Sequence, residues 1–212
     1  MKMTNGGLRE WFSAVRSAWR KVRHSAWRLV RYTVVVLLGY LMHVCVAPYI
    51  KVGEISPHLM IAALAVITVA YGKLRAYWTG AVYGLITETM RPTLPFLNLF
   101  FYPVLSLLCG LLFSDKSEKR LEAERNLDQA AENINPYLRT IMCGAFGSLM
   151  YEFVNIAYIY LAGSDLNPVY FTHALCALIA TTGATILIMY PVRRFLGIPK
   201  PQRRKTIRDR LY

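Results

Sequence analysis

The sequence predicts an all-α integral membrane fold with six transmembrane helices, two of them short, and an amphipathic interfacial helix at the N-terminus. Three observations predict it. Apolar residues gather in six blocks, at 32–50, 57–71, 77–90, 95–113, 137–162 and 170–196. The 212-residue chain is 55% hydrophobic and 17% charged, too apolar for an ordinary soluble domain. Basic residues flank the blocks on alternate sides. With six crossings, 23 of the 25 Lys and Arg fall on one side, and only Lys51 and Arg91 on the other. Cytoplasmic flanks of membrane helices carry the excess of Lys and Arg, so both termini are expected in the cytoplasm.

The formal net charge of +13 borders apolar helices and does not crowd a soluble face, so anionic lipid is the expected counterion and nucleic acid is not. The first apolar run starts about thirty residues in and is too long for a signal-peptide core, so the first helix is expected to stay as an anchor.

Residues 1–31 read as a basic amphipathic helix. Leu8, Trp11, Phe12, Val15, Trp19 and Val22 recur at helical spacing, while Arg16, Arg20, Lys21, Arg23 and Arg28 occupy the opposite arc. Such a helix lies in the inner-leaflet interface, each cation near acidic lipid contributing about 1 kcal/mol. Packing on a partner protein is the competing reading.

The membrane domain spans 32–196. Its second and third blocks, 15 and 14 residues long, fall short of the roughly 20 residues that an untilted crossing needs. Extension through 72–76 with bilayer thinning, or a re-entrant hairpin over 57–90, would accommodate them. The hydrophilic connector 114–136 interleaves Glu118, Glu122 and Arg125 with Leu121, Ala123 and Leu127, which favours a short cytoplasmic helix. In the tail, 197–212, Pro199 and Pro201 precede Arg203, Arg204 and Lys205, a composition suited to a basic flank or a lipid-binding tail and not to a packed fold.

Catalytic signals are weak, and neither an enzyme, a metal nor a cofactor is expected. No phosphate-cradling glycine loop, serine-nucleophile motif or local His/Cys cluster occurs. Cys45, Cys109, Cys143 and Cys176 lie in four different blocks and read as packing residues. His43, His58 and His173 likewise lie in separate segments.

Two acids inside apolar blocks carry more information, because an ionised carboxylate near the bilayer centre costs at least ~2.5 kcal/mol and must find a partner. Glu152 lies near the middle of the fifth block with Asn155 on the same helix face, and His43 and His173 are candidate partners for a buried polar cluster. That cluster reads equally as functional or as an interhelical hydrogen bond. Gly80, Gly84 and Glu88 recur every fourth residue, forming a stripe on which another helix can approach closely, which reads first as a packing seam and, functionally, as a groove for a partner helix. Arg91 is the expected partner of Glu88.

Pro48, Val52, Gly53, Pro57, Leu59, the stretch GAVYGLITE at 80–88, and Cys109 with Gly110 together form a recognisable pattern. The pattern resembles the MreD family of bacterial rod-shape-determining membrane proteins. Gly80, Gly84, Leu85 and Glu88 fit that family's G-x-x-x-G-L-x-x-(D/E) stretch, with Glu where Asp is typical, and Tyr190, Pro191 before Arg193 and Arg194 look like its Tyr-Pro ending. The resemblance runs over about 32–196. It implies a non-enzymatic scaffold subunit of the cell-elongation complex in the bacterial inner membrane. Its implied partners are an MreC-like membrane protein, the peptidoglycan synthase RodA with its transpeptidase and, indirectly, MreB filaments. The family is similar in fold to the substrate-binding subunits of energy-coupling factor transporters, which supplies the alternative function. Those subunits commonly dock through an Ala-x-x-x-Ala stripe on the first helix, whereas block 32–50 here contains Ala47 alone.

Overall fold

The computed structural model describes Trp19 and residues 26–50, 55–90, 96–114, 135–163 and 167–197. Within them the chain is helical, with six helices and no strand. These are α1 (Ala26–Tyr49), α2 (Leu59–Tyr71), α3 (Lys73–Met90), α4 (Leu97–Phe113), α5 (Pro136–Leu161) and α6 (Pro168–Phe195). By length and composition α1, α5 and α6 can cross a membrane, while α2 and α4 are apolar but shorter.

Local chemistry sets the boundaries. Helix α1 enters a π-helical turn at Met42–Val46 and a tight turn at Ala47–Tyr49, where Pro48 lacks the N–H that would continue the ladder. Gly72, at φ +79°, ends α2, donating its N–H to the Thr68 carbonyl, and α3 starts at the next residue. An Asn-Pro pair opens both α5 and α6. Asn135 Oδ1 accepts the Tyr137 N–H and Asn167 Oδ1 accepts the Val169 N–H, each at 3.1 Å, with proline in the first turn where no donor is needed.

The hub is α2. All of Leu59–Val69 is buried, and the other five helices pack around it. Val66 and Ile67 meet Val35 of α1 and Val192 of α6; Met60, Ile61 and Leu64 meet Tyr83 of α3 and Tyr102 of α4; Ala65 and Val69 meet Leu105 and Cys109 of α4 and Cys143 of α5. A helix apolar all round its circumference needs such a sheath. At ~1.5 Å per residue its 13 residues span about 20 Å, two thirds of a bilayer core.

The periphery is as apolar as the centre. Leu37 and Leu41 of α1, Leu149 and Phe153 of α5, and Ile179 and Leu187 of α6 are all exposed. Contiguous apolar surface of this kind is a hazard in water and ordinary against lipid. Between helices the seams carry small hydroxyls: Thr79, Ser106, Thr140, Ser148, Thr181 and Thr185 are fully buried.

The third helix takes the extended form of its expected span, through 73–76. It begins at Lys73, not 77, and has 18 residues, so the second short apolar helix is α4, with 17. The reason is that Gly72 alone makes the turn, and Lys73 to Ala76 then extend α3 by one turn. Of the N-terminal amphipathic helix, Ala26 to Arg31 are continuous with α1, whereas residues 1–18 and 20–25 lie outside the described part, as do the core of the connector and the basic tail.

Candidate functional site

Because α2 is short and sheathed, its N-terminus opens inside the bundle, and the backbone donors there must be satisfied by protein. The His58 N–H donates to Thr181 Oγ1 of α6 at 3.0 Å. The His58 ring, carried just ahead of α2, hydrogen-bonds through Nε2 to Glu152 Oε1 of α5 at 2.9 Å, each side chain keeping a little under a fifth of its surface accessible. Tyr151 packs against the imidazole at 4.5 Å between ring centroids, and Phe101 and Tyr102 continue the aromatic wall at about 6 Å from Tyr151. His43, in the π-helical turn of α1, stands 6.5 Å from His58. The N-terminus of α2, the last turns of α1 and the interior of α5 thus meet at one constellation of His58, Glu152, Tyr151 and His43.

This cluster is the expected one with a different partner at its centre. Glu152 is paired, and with a histidine, but with His58 and not with His43 or His173. Asn155 and His173 are half-buried and make no hydrogen bond to Glu152 among the described residues. His58 was passed over because nothing local marks it. The available signal was its position, directly after Pro57 and directly before a wholly apolar helix, where a side chain projects from a helix end.

The glycine stripe is not open. A β-carbon at Gly84 would lie 2.6 Å from the Asn98 carbonyl oxygen, and one at Gly80 would collide with Ser106 and the Tyr102 carbonyl, all on α4. From the other side Gly110 of α4 lies against Lys73, where its β-carbon would come within 2.7 Å of the backbone. The partner-helix groove of Gly80, Gly84 and Glu88 is therefore occupied by the chain's own α4. The physical reason is proximity: α4 follows α3 after a short connection, and an antiparallel neighbour fills the seam first.

Glu88 has a role that composition alone did not suggest. Its Oε1 accepts the Phe96 N–H at 2.8 Å and its Oε2 the Asn98 N–H at 3.1 Å, so the carboxylate caps α4 from the end of α3. Phe96 is turned into the left-handed region, φ 66°, to present those donors. Arg91, the expected partner, lies outside the described residues.

The opposite end of the bundle is basic. Arg139 and Arg193 are buried, Arg139 donating to the Ser114 carbonyl at 3.3 Å and Arg193 lying over the Tyr137 ring at 5.3 Å and reaching Thr140 Oγ1 at 3.5 Å. Of the lipid-binding candidates, Arg28 is exposed on α1, while Arg16, Arg20, Lys21, Arg23, Arg203, Arg204 and Lys205 lie outside the described residues. No group of three or more His, Cys, Asp or Glu that could hold a metal occurs among the described residues. Comparison with known proteins finds no matching family model and no matching curated protein.

Proposed function

We propose that the protein is a non-enzymatic, multi-pass membrane scaffold of the MreD type, crossing the inner membrane six times with both termini in the cytoplasm. In this reading it joins an MreC-like protein to the elongation synthase, RodA with its transpeptidase, and through them to MreB filaments. The observation that carries the reading is α1. Its 24 residues are apolar enough to cross, yet almost none of its spanning window is buried within the chain. Leu37, Leu38 and Leu41 thus present a full helix face to the bilayer, where a partner helix can dock without disturbing the core around α2. The occupied glycine seam moves the expected docking face from α3 to α1. The GAVYGLITE stretch then serves the fold, holding α4 on α3, as expected of residues that define a fold family.

The test is affinity purification from native membranes, comparing wild type with a Leu37→Ala, Leu41→Ala variant. Morphogenesis proteins recovered with wild type and lost with the variant support the scaffold. Reporter fusions finding either terminus outside the cytoplasm sink the six-crossing arrangement.

A second reading, a substrate-binding subunit of an energy-coupling factor type transporter, draws on the partly accessible His58 and Glu152 pair with its aromatic wall. Polar groups converging in an otherwise apolar enclosure suit a small polar ligand. Recovery of paired ATPases with a membrane coupling subunit would favour it over the scaffold.

A further inference from the structure

The basic end of the bundle contains an arrangement that neither a scaffold nor a transporter reading uses. Tyr71, the last residue of α2, is flanked edge to face by Tyr32 of α1, ring centroids 5.8 Å apart. Arg75 of α3 lays its guanidinium over Tyr71 at 4.5 Å and also faces Tyr32 at 5.9 Å. The Tyr32 hydroxyl fixes the relation of the two helices, bonding to Thr79 Oγ1 at 2.7 Å and to the Arg75 carbonyl at 3.2 Å. Arg31 lies over the Trp27 ring at 5.4 Å and brings Nη1 to 3.0 Å from where a β-carbon on Gly197, in the turn ending α6, would sit. Arg28 and Arg31 precede Tyr32 on α1 by one turn and by one residue, which puts them at the same end of the bundle as Arg75.

Three guanidiniums gathered beside Trp27, Tyr32 and Tyr71 make a place that attracts an anion. Of the acidic residues, those described are Glu88 and Glu152. Glu88 sits at the far end of α3, 13 residues or about 20 Å from Arg75, and Glu152 is engaged by His58. The pair of His58 and Glu152 is the one ion pair among the described residues.

We propose that Arg28, Arg31 and Arg75, at the end of the bundle marked by Trp27, Tyr32 and Tyr71, bind the headgroup of an anionic phospholipid of the inner leaflet. Guanidinium forks match phosphate oxygens in a way a solvated ammonium does not, and aromatic stacking holds the Arg31 and Arg75 forks in place before the ligand arrives. Trp27, Tyr32 and Tyr71 are the residue types found at headgroup depth. Acyl chains have a path as well: Val30 and Val34 on α1 and Leu74 and Trp78 on α3, exposed and apolar, border the cations. The site rests on the reading of the chain as a membrane protein, though not on the scaffold role.

Native mass spectrometry of the full chain in detergent, titrated with phosphatidylglycerol or phosphatidylcholine, tests the site. Wild type is expected to prefer phosphatidylglycerol by at least about 10-fold, and a variant with Arg28→Gln, Arg31→Gln and Arg75→Gln is expected to lose that preference, each cation near acidic lipid being worth roughly 5-fold. Arg31→Gln or Arg75→Gln alone should each lower it by about that factor, which keeps the test alive if the triple variant misfolds. A variant with Arg203→Gln, Arg204→Gln and Lys205→Gln removes the same charge and should change the preference by less than about 2-fold, the part due to unspecific attraction.

Equal loss in the tail variant, or an undiminished preference in the triple variant, overturns the site. Millimolar inorganic phosphate that displaces the lipid overturns it in favour of a free phosphate. A variant of the connector acids, Glu118→Gln, Glu122→Gln and Glu124→Gln, that gains lipid binding absent from wild type assigns the cations to the connector and also overturns it. If alkaline carbonate leaves the chain in the membrane fraction yet no lipid preference is found, the site alone fails. Extraction of the chain by carbonate instead sinks the membrane reading itself.

Discussion

His58 and Glu152 lie 94 residues apart in sequence and meet at 2.9 Å where the central helix α2 begins. The pair joins α5 to the N-terminus of the hub, so its loss should loosen the whole bundle. Glu152→Leu removes the acceptor and leaves the imidazole in a mostly buried site, a cost of about 1–3 kcal/mol. Glu152→Gln keeps an acceptor oxygen and should cost less than half as much. Apparent melting temperatures in detergent should therefore fall in the order wild type, Glu152→Gln, Glu152→Leu. In the background of His58→Leu, the further effect of Glu152→Leu should shrink, as a double-mutant cycle would show.

A β-carbon at Gly84 would press on the α4 backbone, whereas one at Gly183 would meet nothing within 4 Å. Gly84→Ala must push the Asn98 carbonyl aside, at a cost of about 1–3 kcal/mol for overpacking a close seam. Gly183→Ala, in the interior of α6, should be neutral or gain up to about 1 kcal/mol, since alanine is the better helix former. Yields of monodisperse protein and apparent melting temperatures measured side by side check the contrast. A Gly84→Ala protein as stable as Gly183→Ala would show that α3 and α4 do not pack as closely as the seam implies.

What the sequence revealed and what it concealed follow from the range of the interactions. Helices announce themselves locally, through apolar runs and through Asn135 with Pro136 or Asn167 with Pro168, so their number and rough limits were legible. The identity of the hub was not, for although α2 is the most apolar of α2 to α6, apolarity by itself does not separate inside from outside in a membrane protein. The glycine stripe was read correctly as a surface of close approach and assigned to the wrong neighbour, since spacing says that a helix comes near but not which. Glu152 was singled out by the cost of burying a charge, and that argument finds the residue that needs a partner while leaving the partner's address to the tertiary fold. Between His43, His58 and His173, only the placement of the α2 N-terminus decides.

Glu88 bridges two donors at the start of α4 with its two oxygens, at 2.8 and 3.1 Å. A carboxylate there gains both the hydrogen bonds and the favourable end of the helix dipole. Glu88→Ala should cost about 0.5–2 kcal/mol, the range for losing a helix cap. Glu88→Gln, which keeps one acceptor and loses the charge, should fall between Ala and wild type. Amide hydrogen exchange is expected to speed up at 96–100 in both variants and to stay unchanged at α5. Uniform acceleration across the bundle would mean that the cap holds the global fold and not the α4 end.

Tyr83 is fully buried in α3 and donates its hydroxyl to the Val36 carbonyl of α1 at 3.0 Å, over Gly39, whose β-carbon would clash with that same hydroxyl. This bond fastens α1, otherwise thinly attached, to the core. Tyr83→Phe keeps the ring and removes the bond, so the expected loss is about 0.6 kcal/mol and at most ~1.7, the range measured for interhelical hydrogen bonds in membranes. Gly39→Ala should do more, because the added methyl must displace both Tyr83 and Ala63. If α1 is the docking helix, the two substitutions should also separate in function: Tyr83→Phe should leave co-purification of a partner intact, while Gly39→Ala, by shifting α1 on the bundle, should reduce it. Equal partner recovery with both variants, at equal protein levels, would remove α1 from the interface.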